Sequence, residues 1–245
     1  MNETYKVQVQ DLVDDLKAVF THAGLGGEAG EYKLLTQSFL YKFLNDKFLY
    51  QAQVLDAGNT YENLLTMSEE DYDWLLEDIG TSTAWLKPDQ LIETLHRQQN
   101  EATFYETFEN TLNQIAIDNN DIFSVHTDGD TAIRLFDERL ITDNISDSSK
   151  RNEVAKAIIN LLTRVKFDET IFSQGFDFFS TLFEYMIKDY NKDGGGKYAE
   201  YYTPHSVAKI IAEILVGNDQ PSNVRIYDPS AGSGTLLMNL ASRIG

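Results

Sequence analysis

The chain has 245 residues, 42% of them hydrophobic, a length and composition that allow one large core or two smaller ones. It holds no cysteine, which excludes disulfides and thiolate metal sites, and no run of about 18 or more apolar residues, which excludes a membrane-spanning helix. The net charge of −19 is carried almost wholly by residues 1–150, with 28 acidic side chains against 10 basic; residues 151–245 hold 11 and 10.

The first half reads as helices. Leu12, Leu16, Val19 and Phe20 fall at helical spacing, and so do Leu35, Phe39, Phe43 and Leu44, continuing into Phe48 and Leu49. Leu25 to Gly30 separates the two as a glycine-rich turn. Ser68 ahead of Glu69, Glu70 and Asp71 is a capped, acidic helix start, so a helix is expected to about Ile79. Pro88 suits the first turn of another helix through Leu95. Phe104, Phe108, Leu112 and Ile115 continue the pattern. Asp128-Gly129-Asp130 reads as a turn, being too short for a calcium loop of about twelve residues. A helix is expected over Ala132 to Ile141 and a polar loop over Asp143 to Lys150. Val154, Ile158, Leu161, Leu162 and Val165 form one further stripe from Glu153 on. Phe176, Phe179, Leu182, Phe183 and Met186 form another, read as core aromatics. The glycine loop Asn191 to Lys197 lacks the Gly-Lys-Ser/Thr of a phosphate-binding loop.

The charge split predicts two regions: residues 1–150 as an acidic N-terminal helical domain, and residues 151–245 as helices leading into a ligand-binding domain. DNA affinity rests largely on Lys and Arg neutralising phosphates, so the acidic half is not expected to bind DNA by itself at physiological salt. Its surface serves either solubility or the docking of a basic partner protein. The N-terminus lacks the basic and apolar regions of a secretory signal, which makes a cytoplasmic location the expectation.

The chemistry concentrates in residues 197–245. Val207, Ala208, Ile210, Ile211, Ile214 and Leu215 mark an amphipathic helix, with Thr203 as its cap and Pro204 at its first position. Val224 to Tyr227 reads as a short strand ending at Asp228. Pro229-Ser230-Ala231-Gly232-Ser233-Gly234 is a tight turn, and Thr235 to Ile244 a helix. Strand, acidic residue, Gly-x-Gly turn and helix open a nucleotide-type α/β fold. The glycines admit close backbone approach and the helix N-terminus suits an anion. The dinucleotide fingerprint asks for a third glycine where Leu237 stands, which argues against NAD or FAD. On residues alone, a ligand-free turn at Gly232–Gly234, a plain helix start at Thr203-Pro204 and a turn-forming Asp228 remain open readings. His22, His96 and His126 show no ligand spacing, and no metal site is expected.

Asp228-Pro229-Ser230-Ala231-Gly232-Ser233-Gly234-Thr235 resembles the Asp-Pro-x-x-Gly-x-Gly motif of DNA amino-methyltransferases. About two dozen residues upstream, Glu200-Tyr201-Tyr202-Thr203-Pro204-His205 is similar to the aromatic-Thr-Pro motif of the N6-adenine group. With Phe183-Glu184-Tyr185-Met186 and the glycine loop, the pair resembles the methylation (modification) subunit of type I restriction-modification systems over roughly residues 176–245. The resemblance implies S-adenosyl-L-methionine as cofactor and methyl transfer to N6 of adenine in DNA. It implies a mainly α chain, an N-terminal helical domain followed by the first strand and flanking helices of a Rossmann-like methyltransferase fold. By that resemblance Glu200, Tyr201, Tyr202, Thr203, Pro204 and His205 form one wall of the cofactor pocket. Ser233, Gly234 and Thr235 present backbone groups to the methionine end, Ala231 and Gly232 join them as cofactor-binding residues, and Asp228 meets the ammonium directly or through water. DNA, a specificity subunit, a restriction subunit and a second methylation subunit are the implied partners.

Enzymes of that group hold the target amino group on an Asn/Asp-Pro-Pro-aromatic loop, after flipping the base from the duplex. The four prolines here are Pro88, Pro204, Pro221 and Pro229, with no adjacent pair. No catalytic residue is therefore assigned, the loop is expected beyond Gly245, and the chain is expected to be an N-terminal fragment of a longer protein, inactive alone. The alternatives are a non-enzymatic helical interaction module and part of a fused restriction-methyltransferase enzyme.

Overall fold

The computed structural model describes residues 3–27, 29–81, 83–123, 134–172, 185, 203–218, 223–231 and 234–244. By its contacts the chain divides into two compact units, Asp11–Phe172 and Met1–Gln10 with Ser173–Gly245. All regular structure among the described residues is helical. No helix there is long and apolar enough to cross a membrane, and no group of acidic or histidine side chains is placed to hold a metal ion.

The unit Asp11–Phe172 is built from α1 (Glu3–Ala23, from Asp11 on), α2 (Ala29–Leu55), α3 (Tyr61–Thr66), α4 (Glu69–Ile79), α5 (Ile92–Gln98), α6 (Phe104–Asp118), α7 (Asn120–Phe123), α8 (Leu140–Asn144), α9 (Ser148–Leu162) and α10 (Glu169–Phe172). α2 is its axis. Leu34, Leu35, Phe39, Tyr41, Leu44, Phe48 and Ala52 are buried on several sides of it, the pattern of a helix surrounded by others. It packs on α4, α8 and α9, and α9 packs in turn on α5, α6 and α8.

Polar side chains fix how these helices end. Ser68 caps α4 by accepting from the Asp71 N–H. Asp147 caps α9 through the Ser149 N–H. Glu109 accepts from both the N–H and the hydroxyl of Thr142, at 2.6 and 2.9 Å, tying α6 to α8. Asn152 on α9 accepts from the Tyr105 N–H at the start of α6. Each satisfies a first-turn N–H that a helix cannot pair internally.

One turn of α2 carries a buried ion pair. Lys42 Nζ stands 2.8 Å from Asp46 Oδ2, and each side chain is 5% exposed. The Asp46 carboxylate also accepts from Asn45 Nδ2 at 2.8 Å and from the Phe167 N–H at 2.7 Å. Asn45 Oδ1 accepts from the Ile92 N–H. One turn of α2 thereby holds both the start of α5 and the segment that follows α9. Burial pushes the Lys42 ammonium pKa down, against the opposing pull of Asp46.

Several expected boundaries move. Pro88 opens only a 3-10 turn, Pro88–Gln90; Leu91 is extended (φ −73°, ψ 142°) and α5 begins at Ile92. The Gln90 side chain accepts from the Lys87 N–H and donates to Asp118, which locks the short turn. Within the helix expected over Ala132 to Ile141, residues 134–139 are irregular and α8 starts at Leu140; Ala132 and Ile133 lie outside the described residues. The polar loop expected over Asp143 to Lys150 holds the end of α8 and the capped start of α9, because Asp147 and Ser148 form a helix N-terminus rather than a loop. Val165 lies beyond the end of α9. With α9 joined to α5, α6 and α8, the compact unit runs past residue 150 to Phe172. The Asp128-Gly129-Asp130 turn, the 176–186 stripe apart from Tyr185 and the 191–197 loop lie outside the described residues.

The buried phenols set an alkaline limit on stability. Tyr41 donates to the Gln90 carbonyl and Tyr72 to the Leu86 carbonyl. Burial, reinforced by Asp89, raises both pKa values above the ordinary 10.0. A folded-state pKa above the unfolded one gives stability that is complete below pH 10 and is lost as pH rises through the interval between the two values. The urea midpoint is thus expected to fall between pH 9 and pH 11, with a smaller fall in Tyr41→Phe. A flat profile over that range would contradict the linkage.

Candidate cofactor site

Within the unit that includes Ser173–Gly245, two helices carry the motif-bearing segments: α11 (His205–Val216) and α12 (Thr235–Ile244). They pack along one another. Arg243, in the last turn of α12, pairs with Glu213 at 2.8 Å and donates to the Gly217 carbonyl at the end of α11. Two helices packed lengthwise with their C-terminal ends tied run parallel, so both N-termini come to the same end. Those N-termini carry Thr203-Pro204-His205 and Ala231 to Thr235, the two segments the sequence singled out.

At the start of α11, Pro204 occupies the cap position with φ −55° and ψ 135°, and its carbonyl accepts from the N–H groups of Val207 and Ala208. The expected side-chain cap from Thr203 does not form, and the helix begins one residue later than read. An extended ψ at Pro204 carries the chain away before Thr203 can reach the first turn. Thr203 and His205 are half-buried.

Val224 to Tyr227, expected as a strand, has no regular secondary structure. A strand exists by its ladder to a neighbour, and no partner strand lies among the described residues. The segment ends at Asp228, where Oδ1 accepts from the Ser230 N–H at 2.8 Å in a local turn. Asp228 Oδ2 is buried with no hydrogen-bond partner among the described residues. Gly234 then turns the chain with φ +75°, its N–H donating to the Ala231 carbonyl at 2.7 Å and its carbonyl accepting from Met238. Open space surrounds the place a Cβ would take, so it is the left-handed backbone that favours glycine here. Glu200, Tyr201, Tyr202, Gly232 and Ser233 lie outside the described residues.

A cleft of about 180 Å³ lies between the helices and the 226–229 segment, lined by Ile211, Leu215, Ile226, Asp228, Leu236 and Leu240 among others. Its lining is chiefly apolar, and its volume is below the roughly 300 Å³ at which small-molecule pockets begin. Ile210 and Ile214 are 60% and 74% exposed on the neighbouring face of α11, and Leu215 at the cleft itself is 68% exposed. The Arg243–Glu213 tie, which aligns the two helices, escaped the sequence reading, because nothing local links residues thirty apart.

Residues 174–245 match the family model for N-6 DNA Methylase. Over 97% of its length the chain is 24% identical to the type I restriction enzyme MpnII methylase subunit of Mycoplasma pneumoniae, and it covers 44% of that relative. A crystal structure of the type I restriction-modification system methyltransferase subunit from Streptococcus thermophilus superposes with a TM-score of 0.63 at 22% identity, over 96% of this chain and 49% of that one. The chain thus spans less than half the length of the proteins it matches. Residues 174–245 match the N-6 DNA methylases, and the chain as a whole is similar to the methylation subunits of type I restriction-modification systems.

Proposed function

We propose that this chain is the N-terminal portion of a type I methylation subunit, an enzyme that moves a methyl group from S-adenosylmethionine to N6 of adenine in DNA. What supports the proposal is that Thr203-Pro204-His205 opens α11 and the Asp228 to Gly234 turn leads into α12, two helices that pack along one another. Asp228 is the centre of the reading, with one carboxylate oxygen buried and without a hydrogen-bond partner among the described residues.

The residues fit the methionine end of that cofactor. A buried carboxylate oxygen lacking a donor suits an ammonium. The N-terminus of α12, reached through the Gly234 turn, suits a carboxylate. When bound, the cofactor supplies an electrophilic methyl on a sulfonium. The chain's own residues bind and orient: Asp228 fixes the ammonium, Ala231 to Thr235 offer backbone groups, and Glu200 to His205 form the facing wall. Val224 to Tyr227 becomes the first strand of a Rossmann-like sheet once a neighbouring strand pairs with it. No residue of the chain is assigned to the methyl-transfer step.

This reading carries the whole system's partners: DNA, a specificity subunit, a restriction subunit and a second methylation subunit, working in the cytoplasm. The division of labour has the acidic helical unit Asp11–Phe172 ahead of the residues that lead into cofactor binding. With a cleft this small, S-adenosylhomocysteine is expected to bind the chain more weakly than micromolar. Ligand-observed NMR should detect that binding in the 245-residue chain, and Asp228→Ala should remove it. A signal that persists in Asp228→Ala, or none in the unaltered chain, would overturn the site; micromolar affinity by calorimetry would contradict the half-formed pocket.

A further inference from the structure

The outer face of α4 is built around a tryptophan that the fold does not use. Trp74 is 61% exposed, while Tyr72, Leu75 and Ile79 on the opposite side are buried and Tyr72 rests on Phe48, ring centroids 6.4 Å apart. The other tryptophan, Trp85, donates its indole N–H to the Gly80 carbonyl at 2.7 Å; Trp74 forms no hydrogen bond among the described residues.

Residues three and four positions away are a side chain's neighbours on a helix surface. For Trp74 those four are Glu70, Asp71, Glu77 and Asp78, all acidic and all exposed. None forms an ion pair among the described residues; Asp71 accepts only from Ser68. From Phe48 to Leu86 the chain has eight acidic side chains and no Lys, Arg or His. An aromatic face ringed by unpaired carboxylates, with no cation of the chain's own nearby in sequence, is complementary to one chemistry, a cation carried on a flexible stem. Arginine over tryptophan is the favoured pairing of that kind, and both residues are enriched at protein interfaces.

We propose that the outer face of α4 docks an arginine-bearing basic segment of a partner polypeptide, with a guanidinium on the Trp74 indole between Glu70, Asp71, Glu77 and Asp78. The assignment stands independently of the cofactor site. A diffuse acidic surface would attract cations without regard to Trp74, whereas a docking site depends on it.

The test uses the 245-residue chain and a fluorescein-labelled Arg-Gly-Ser repeat peptide, with anisotropy read at about 0.15 M salt, where separated surface charges are largely screened. Saturable binding is expected. Trp74→Ala should weaken it at least about fivefold, equivalent to about 1 kcal/mol, and Trp74→Phe should recover part of the loss. E70Q/E77Q should weaken it more than D11N/E153Q, which removes the same charge from exposed positions elsewhere. Absence of saturable binding, equal affinity in Trp74→Ala, or equal losses from the two charge pairs would each overturn the proposal. Exposure of Trp74 keeps the thermal midpoint of Trp74→Ala near that of the parent, and Trp74→Phe provides a second readout.

Discussion

Asp46→Ala is expected to cost the unit Asp11–Phe172 about 3–5 kcal/mol of unfolding free energy, the usual penalty for breaking a buried ion pair from one side. The substitution removes the acceptor for Lys42, Asn45 and the Phe167 N–H together. Lys42 is left at 5% exposure with no counter-charge, and the Phe167 backbone loses its partner. Lys42→Met should cost less, because the carboxylate keeps its bonds from Asn45 and Phe167. Burial already holds the Lys42 pKa down, so part of the loss in Asp46→Ala is relieved by release of the ammonium proton. Urea unfolding of the two variants, followed by far-UV circular dichroism, measures the difference. A loss below about 1 kcal/mol in Asp46→Ala would show that the network is peripheral to stability.

The second large effect concerns activity. The 245-residue chain is expected to transfer no methyl to DNA. Its four prolines are nowhere adjacent, so no Asn/Asp-Pro-Pro-aromatic loop exists within it to hold a flipped adenine. Positioning of reactants contributes up to about 7–11 kcal/mol to barrier lowering, and losing most of that takes the rate below detection. The cleft beside Asp228 is small, and the α11 face next to it stays open to solvent at Ile210 and Ile214. Incorporation of labelled methyl into DNA by the purified chain would refute the expectation.

The sequence by itself was enough to locate the helices with strong apolar spacing and clear caps. α4 starts at the Ser68 cap, α6 follows Phe104, Phe108, Leu112 and Ile115, and α12 covers the residues expected of it. These elements are legible because capping and amphipathic periodicity are local. The resemblance to type I methylation subunits was legible for a similar reason, since its two motifs are short and lie in a fixed order.

Elsewhere the outcome depended on contacts between distant residues, which local pattern does not encode. The Pro88 helix shrinks to a single turn because Gln90 bridges to Lys87 and to Asp118. The loop expected after Asp143 is partly helix because α8 is tied to Glu109 and α9 is capped by Asp147. Burial of Lys42 and Asp46 on a helix read only from its apolar spacing goes with the Phe167 N–H, which Asp46 satisfies, and the Ile92 N–H, which the adjacent Asn45 satisfies. At the candidate site, residue types nominated Asp228 and Gly234. Tertiary structure decided that the helices bearing the two motifs run parallel, through the Arg243–Glu213 tie, and that one oxygen of Asp228 is buried without a donor among the described residues. Caps and periodicities act within a few residues of chain, whereas helix direction and the satisfaction of a buried charge depend on groups brought together only by folding.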